Sequence, residues 1–105
     1  MRPTVFDDLL EKRIVLIRDV LAKKQDEYAT DDDVLHNFKK AAAMSRTSEA
    51  GALWGMLVKH LVSIKDLVDD HGAPELDKVD EKIGDAINYL ILLEAIFKER
   101  SRDLR

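Results

Sequence analysis

Glu81, Asp85 and Asn88 stand at spacings of four and three within the stretch EKIGDAINYL. On a helix those spacings place all three side chains on one face. Two carboxylates one turn apart can hold Mg²⁺, a hard cation that prefers oxygen ligands and keeps several of its waters. Asn88 adds an amide that can accept from, or donate to, a ligand. The same spacing also describes the solvated side of an ordinary amphipathic helix. Spacing alone leaves both readings open.

Two further sets of residues have the types that bind phosphate or a base. Lys59 and Ser63, followed by Asp66 and Asp70, form a polar row at helical spacing. There the lysine can neutralise a phosphate and the serine can donate to it. The row equally fits a solvated face with lysine–acid pairs, each worth a few tenths of a kcal/mol. Upstream, KKQDEYATDDDVLHNF gathers Lys23, Lys24, Tyr28, His36, Asn37 and Phe38. Aromatic faces for a base and lysines for phosphate suit a nucleotide. Tyr28 and Phe38 can also simply close one end of the core.

Other chemistries lack their residues. The chain has no cysteine, which removes disulfides, thiolate nucleophiles and cysteine-based zinc sites together. His36, His60 and His71 show no zinc spacing. No Ser-His-Asp signature, phosphate-binding loop or glycine-rich cradle is present.

Four helices can position these groups, over roughly residues 4–26, 33–45, 48–70 and 75–100, in one all-α, four-helix bundle-like domain of 105 residues. Phe6, Leu9, Leu10, Leu16, Ile17, Val20 and Leu21 recur at mostly helical steps in the first. Thr4 or Pro3 can open it, and one of Asp31, Asp32 and Asp33 can cap the second. Thr47 or Ser48 can cap the third, whose apolar face comprises Leu53, Trp54, Leu57, Leu61, Ile64 and Val68. DDHGAPE ends it, with Gly72 suited to a helix C-terminus and Pro74 to the next first turn. Gly55 and Gly84 interrupt helices at about 1 kcal/mol each relative to alanine. Close crossing of another helix is the first explanation for them, and a ligand against the backbone is the second.

Apolar residues at 46% and charged residues at 36% fit amphipathic helices with solvated outer faces. IVLI at 14–17 and YLILL at 89–93 are apolar around most of the helix circumference. Burial on two sides, the second by another subunit, predicts a homo-oligomer, and a central helix enclosed by its own chain is the alternative. The net charge of −4 argues against a general nucleic-acid binder. Asp7, Asp8 and Glu11 break the first apolar positions, unlike a signal peptide. No run reaches the about 18 apolar residues of a membrane span. A cytoplasmic protein without membrane contact is expected.

AKKQDEYATDDDVLHNFKKAA, ALWGMLVKHLVSI and EKIGDAINYLILL together resemble a family of small all-helical phage and prophage proteins. The resemblance runs over roughly residues 20–97 and rests on Lys24, Glu27 and Tyr28, on Asn37 and Phe38, on Lys59, and on Glu81, Asp85, Asn88 and Tyr89. More distantly, the arrangement is similar to the MazG-like all-α nucleoside triphosphate pyrophosphohydrolases. Those enzymes bind Mg²⁺ through an E-x-x-E helix and an E-x-x-D helix. EKIGD resembles their E-E-x-x-D element, with Lys82 in place of the second glutamate, and Lys59 and Ser63 occupy the face of the missing E-x-x-E helix. Fewer carboxylates weaken divalent-metal binding, and lysines favour holding a phosphate over cleaving it.

The resemblance therefore implies a phage-type accessory protein inside the host cell. It would bind a nucleotide or nucleotide derivative at a degenerate MazG-like site. Its ligand candidates are Lys24, Tyr28, Asn37, Phe38, Lys59, Ser63 and Asn88, with Glu81 and Asp85 for any Mg²⁺. Two alternatives stand beside it. One is a Mg²⁺-dependent pyrophosphohydrolase drawing further acids from Asp26, Glu27 or a partner chain. The other is a phage protein that binds and modulates a host protein.

Overall fold

The computed structural model describes residues 1–27 and 33–101, with side chains over 1–23 and 33–101. Its elements are α1 (Pro3–Glu27), α2 (His36–Ser45), α3 (Glu49–Asp69) and α4 (Leu76–Ser101). Among the described residues there is no strand, and no helix is long and apolar enough to cross a membrane.

Local chemistry explains most of the boundaries. Pro3 opens α1, where a missing backbone N–H costs nothing. Ser48 caps α3, its hydroxyl accepting from the Gly51 N–H at 3.0 Å. α2 starts later than the aspartate run suggests. Leu35 holds the N-cap position without a side-chain cap, since leucine has no acceptor to offer, and its side chain is instead fully buried in the core. Asp33 instead closes the turn ahead of the helix, accepting from the Leu35 N–H at 3.0 Å.

The ends differ from expectation too. α2 stops at Arg46, a non-glycine residue in the left-handed region at φ 53°. α3 stops without glycine's help: Asp70 is extended, and its carboxylate accepts from the Gly72 N–H at 2.9 Å. No described glycine has a positive φ.

α2, α3 and α4 share one core of Leu35, Phe38, Leu53, Leu57, Ala86 and Ile96, bordered by Ile64, Tyr89, Leu92 and Leu93. Leu53 and Leu57 are wholly buried, while Trp54, Leu61 and Val68 of the expected α3 face point outward. α2 lies on α3 and reaches α4 by side chains. Lys39 pairs with Asp33 and, at 2.8 Å, with Glu99 near the end of α4. That pairing raises the Lys39 ammonium above the ordinary lysine range. The hydrogen bond from Lys39, aided by the Leu35 N–H, holds the Asp33 carboxyl below the usual carboxylate range despite some desolvation.

α1 is attached differently. Among the described residues it lies against α4 and no other helix. Arg13 makes the visible tether, donating to the Asp80 carbonyl at 3.3 Å and standing 3.5 Å from the Asp80 carboxylate. Its guanidinium passes over Gly84, where a Cβ would come within 2.7 Å of Nη1. Gly84 thus admits a side chain rather than a helix backbone. Gly55 is exposed with nothing within 4 Å of an added Cβ, so no crossing explains it within the protomer. Most of the expected α1 face is also open: Phe6, Leu9, Leu10, Leu16 and Val20 are exposed, and only Arg13, Ile17 and Leu21 are partly covered.

Candidate functional site

Packing of α3 on α4 brings His60 to Asp85 and Tyr89. The His60 Nδ1 lies 3.7 Å from Asp85 Oδ2, beyond direct hydrogen-bond range but within pairing distance when the ring is protonated. The imidazole also rests on Tyr89, with ring centroids 4.9 Å apart and a 31° tilt. Tyr89 in turn meets Phe38 edge to face, at 6.3 Å and 75°, an arrangement that aromatic quadrupoles favour. Three helices therefore contribute one ring each to a continuous row: Phe38 from α2, Tyr89 from α4 and His60 from α3.

Asn88 sits next to Tyr89 in sequence and one turn beyond Asp85. It is 5% exposed, and its Oδ1 is buried with no hydrogen-bond partner among the described residues. A buried acceptor left unpaired costs about 1–3 kcal/mol, and native proteins pair nearly all such atoms. Glu81, Asp85 and Asn88 are thus no uniform polar stripe. Glu81 is exposed, Asp85 is half-buried and Asn88 is buried, so the face descends from solvent into the core along α4.

The remaining sequence candidates are distributed around this row. Phe38 belongs to the hydrophobic core as well as to the ring row. Asn37 is exposed on the first turn of α2; Lys59 is exposed and Ser63 half-buried on α3. The side chains of Lys24 and Tyr28, and of Asp26 and Glu27, lie outside the described residues. Among the described residues no three His, Cys, Asp or Glu side chains converge as metal ligands would. Glu81 and Asp85 can offer oxygens to Mg²⁺, with waters and ligand phosphates completing its shell, but Asp85 already faces His60.

His60 is the residue that spacing for zinc or catalysis passes over. Its signal lies elsewhere: Leu53, Leu57, His60 and Ile64 follow the four-three-four register of a core-facing helix. A histidine in that register packs against what the neighbouring helix presents, and this one rests on the Tyr89 ring with the Asp85 carboxylate 3.7 Å away. Asn88 shows the same kind of signal, since Leu92 and Ala95 continue its register toward the core. A polar side chain is placed where an apolar one would stabilise more. Comparisons of the chain with protein families, curated proteins and solved structures found no match in any of the three.

Proposed function

We propose that this chain is a phage-type accessory protein that binds a nucleotide or nucleotide derivative, acting as a homo-oligomer. The unpaired Oδ1 of Asn88 is the observation that carries this reading. It needs a donor, which the exocyclic amino group of adenine, guanine or cytosine supplies and a phosphate does not. The row of His60, Tyr89 and Phe38 offers ring faces and edges of the kind a base packs against. Lys59, exposed and adjacent to His60 in sequence, supplies the positive charge for a phosphate. Asn88 is closed to solvent, so a ligand reaches its amide only when the side chains covering it move apart.

Binding is favoured over cleavage because too few carboxylates converge. Among the described residues Glu81 and Asp85 have no third acid to complete a metal-ligand cluster. Hydrolysis would require pyrophosphate release from some nucleoside triphosphate with Mg²⁺, abolished by Asp85→Ala.

A thermal-shift screen of mono-, di- and triphosphates and cyclic dinucleotides, with and without Mg²⁺, tests the binding reading. The expected result is a rise in Tm with at least one amino-bearing nucleotide and a smaller rise with its uracil or thymine counterpart. Asn88→Leu should lose that response while gaining about 1 kcal/mol of intrinsic stability, because it removes the unpaired amide at similar volume. No shift with any nucleotide, or a response unchanged in Asn88→Leu, would overturn the proposal.

A further inference from the structure

One turn along the same face of α4 separates Gly84, over which the Arg13 guanidinium lies, from the buried amide of Asn88. Whether α1 also covers Asn88 depends on the direction in which it runs, and the connectivity of the chain gives that direction. α1 rises about 21 Å from Arg13 to its last residue, Glu27. α4 rises about 22 Å from Gly84 to Glu99. Asp33 stands beside Glu99, since Lys39 holds both carboxylates. The chain from Glu27 to Asp33 can span at most about 22 Å. An α1 running against α4 would leave Glu27 about 43 Å from the level of Glu99, beyond that reach. α1 therefore runs in the same direction as α4.

Ile17, one turn beyond Arg13, then comes level with Asn88, one turn beyond Gly84. Burial follows the same direction on both helices. On α1 the covered residues run from Arg13 through Ile17 to Leu21, while Phe6, Leu9 and Leu10 are exposed. On α4 Gly84 and Asn88 are buried, whereas Asp77 and Asp80, toward its start, are exposed.

This cover is lightly held. Among the described residues α1 lies against α4 and no other helix. Its ion pair ends on a carboxylate that is 62% exposed, where such pairs are weak and screened by salt. α3, by contrast, closes on α4 through the wholly buried Leu53 and Leu57. Local opening of a fold starts where buried apolar contacts are fewest.

We infer that α1 is a lid over Asn88: its release from α4 uncovers the amide while α2, α3 and α4 stay packed. Apparent affinity for a ligand at Asn88 then scales with the fraction of molecules whose lid is open. That the entrant is a nucleobase rests on the reading above; the lid itself does not.

Thiol labelling tests the lid without any nucleotide, so a failed lid and a failed nucleotide reading are separate results. The chain has no cysteine of its own, so a single introduced thiol reports its own access to iodoacetamide. Asn88→Cys places one under α1, and Ala86→Cys places one in the core shared with α2 and α3. Each labelling rate is divided by the rate of the same variant unfolded in urea, which removes differences in intrinsic reactivity. Protection at residue 88 should be at least about tenfold lower than at residue 86, because lid opening is easier than global unfolding. Arg13→Ala with Ile17→Ala should lower protection at 88 at least about tenfold further and leave 86 within about twofold. Should Asn88→Cys not fold, hydrogen exchange of the unsubstituted chain reads the same opening. Amides of residues 13–21 should then exchange at least about tenfold faster than those of residues 53–60. Equal protection at 88 and 86, a parallel loss at both in the alanine background, or equal exchange in the two segments overturns the inference.

Discussion

α4 is held on one flank by α3 and on another by α1, and the two contacts are made of opposite materials. Against α3 it buries apolar volume, with Leu53 and Leu57 fully enclosed and Ile96 and Ala86 closing over them. Against α1 it offers glycine, and the gap is filled by the guanidinium of Arg13, tied to Asp80. Burial of apolar area is worth about 25 cal/mol per Å² and needs no fine alignment. A partly exposed ion pair is worth about 0–1 kcal/mol and is screened by salt. The first contact can define a core; the second can only position an arm whose apolar face stays open in the protomer.

Two leucines expose the difference most strongly. Leu57→Ala removes a fully buried side chain and should lower unfolding stability by about 2–5 kcal/mol. Leu9→Ala touches the exposed α1 face. On the homo-oligomer proposed above, it should cost stability only through association, so its effect shrinks as the protein is diluted. Denaturant melts of both variants over a hundredfold range of protein concentration check this. Equal, concentration-independent losses would show that α1 is as much part of the protomer's core as α3.

The glycines provide a subtler version of the same contrast. Alanine at residue 55 meets nothing within 4 Å and should stabilise α3 by about 0.5–1 kcal/mol. Alanine at residue 84 brings its Cβ within 2.7 Å of Arg13 Nη1. The guanidinium can swing aside, so global stability should change by less than about 0.5 kcal/mol as the helix gain offsets the lost tether. Hydrogen exchange should nevertheless quicken in α1 alone. Uniform exchange across the chain after Gly84→Ala would mean that the arm and core are one cooperative unit.

The division between arm and core was only half legible in the sequence. Apolar periodicity located four helices, since three- and four-residue recurrence survives whatever each face meets. Periodicity says that a face is apolar without naming its neighbour. Phe6 and Leu53 therefore look alike in sequence, although one is open and the other enclosed. The candidate site followed the same logic. Asp85 and Asn88 were visible as a stripe, but the burial of Asn88 depends on how α4 is rotated. His60 was hidden because its partners, Asp85 and Tyr89, lie on another helix. Gly84 was conspicuous as a cost, while its beneficiary, Arg13, is 71 residues away in sequence.

A comparably small effect belongs to the staple that joins the start of α2 to the end of α4. Asp33 titrates below its unfolded range because Lys39 and the Leu35 N–H bind its ionised form. Its contribution is therefore present above the unfolded carboxylate pKa of about 3.9 and is lost as pH falls through the lower folded value. Lys39 has the opposite sign: its raised pKa gives stability below the ordinary lysine range, lost as pH climbs through the folded value. Both side chains are about one-third exposed, so solvent screening limits the Asp33–Lys39 pair to at most about 1 kcal/mol. Asp33→Asn keeps an acceptor for Leu35 and removes the charge. Urea melts from pH 7 down to 2 should show wild type ahead of Asp33→Asn at neutral pH, with the difference closing below about pH 4. Added salt should narrow the neutral-pH gap, whereas the Leu57→Ala loss should persist, because one contact is electrostatic and the other is packing.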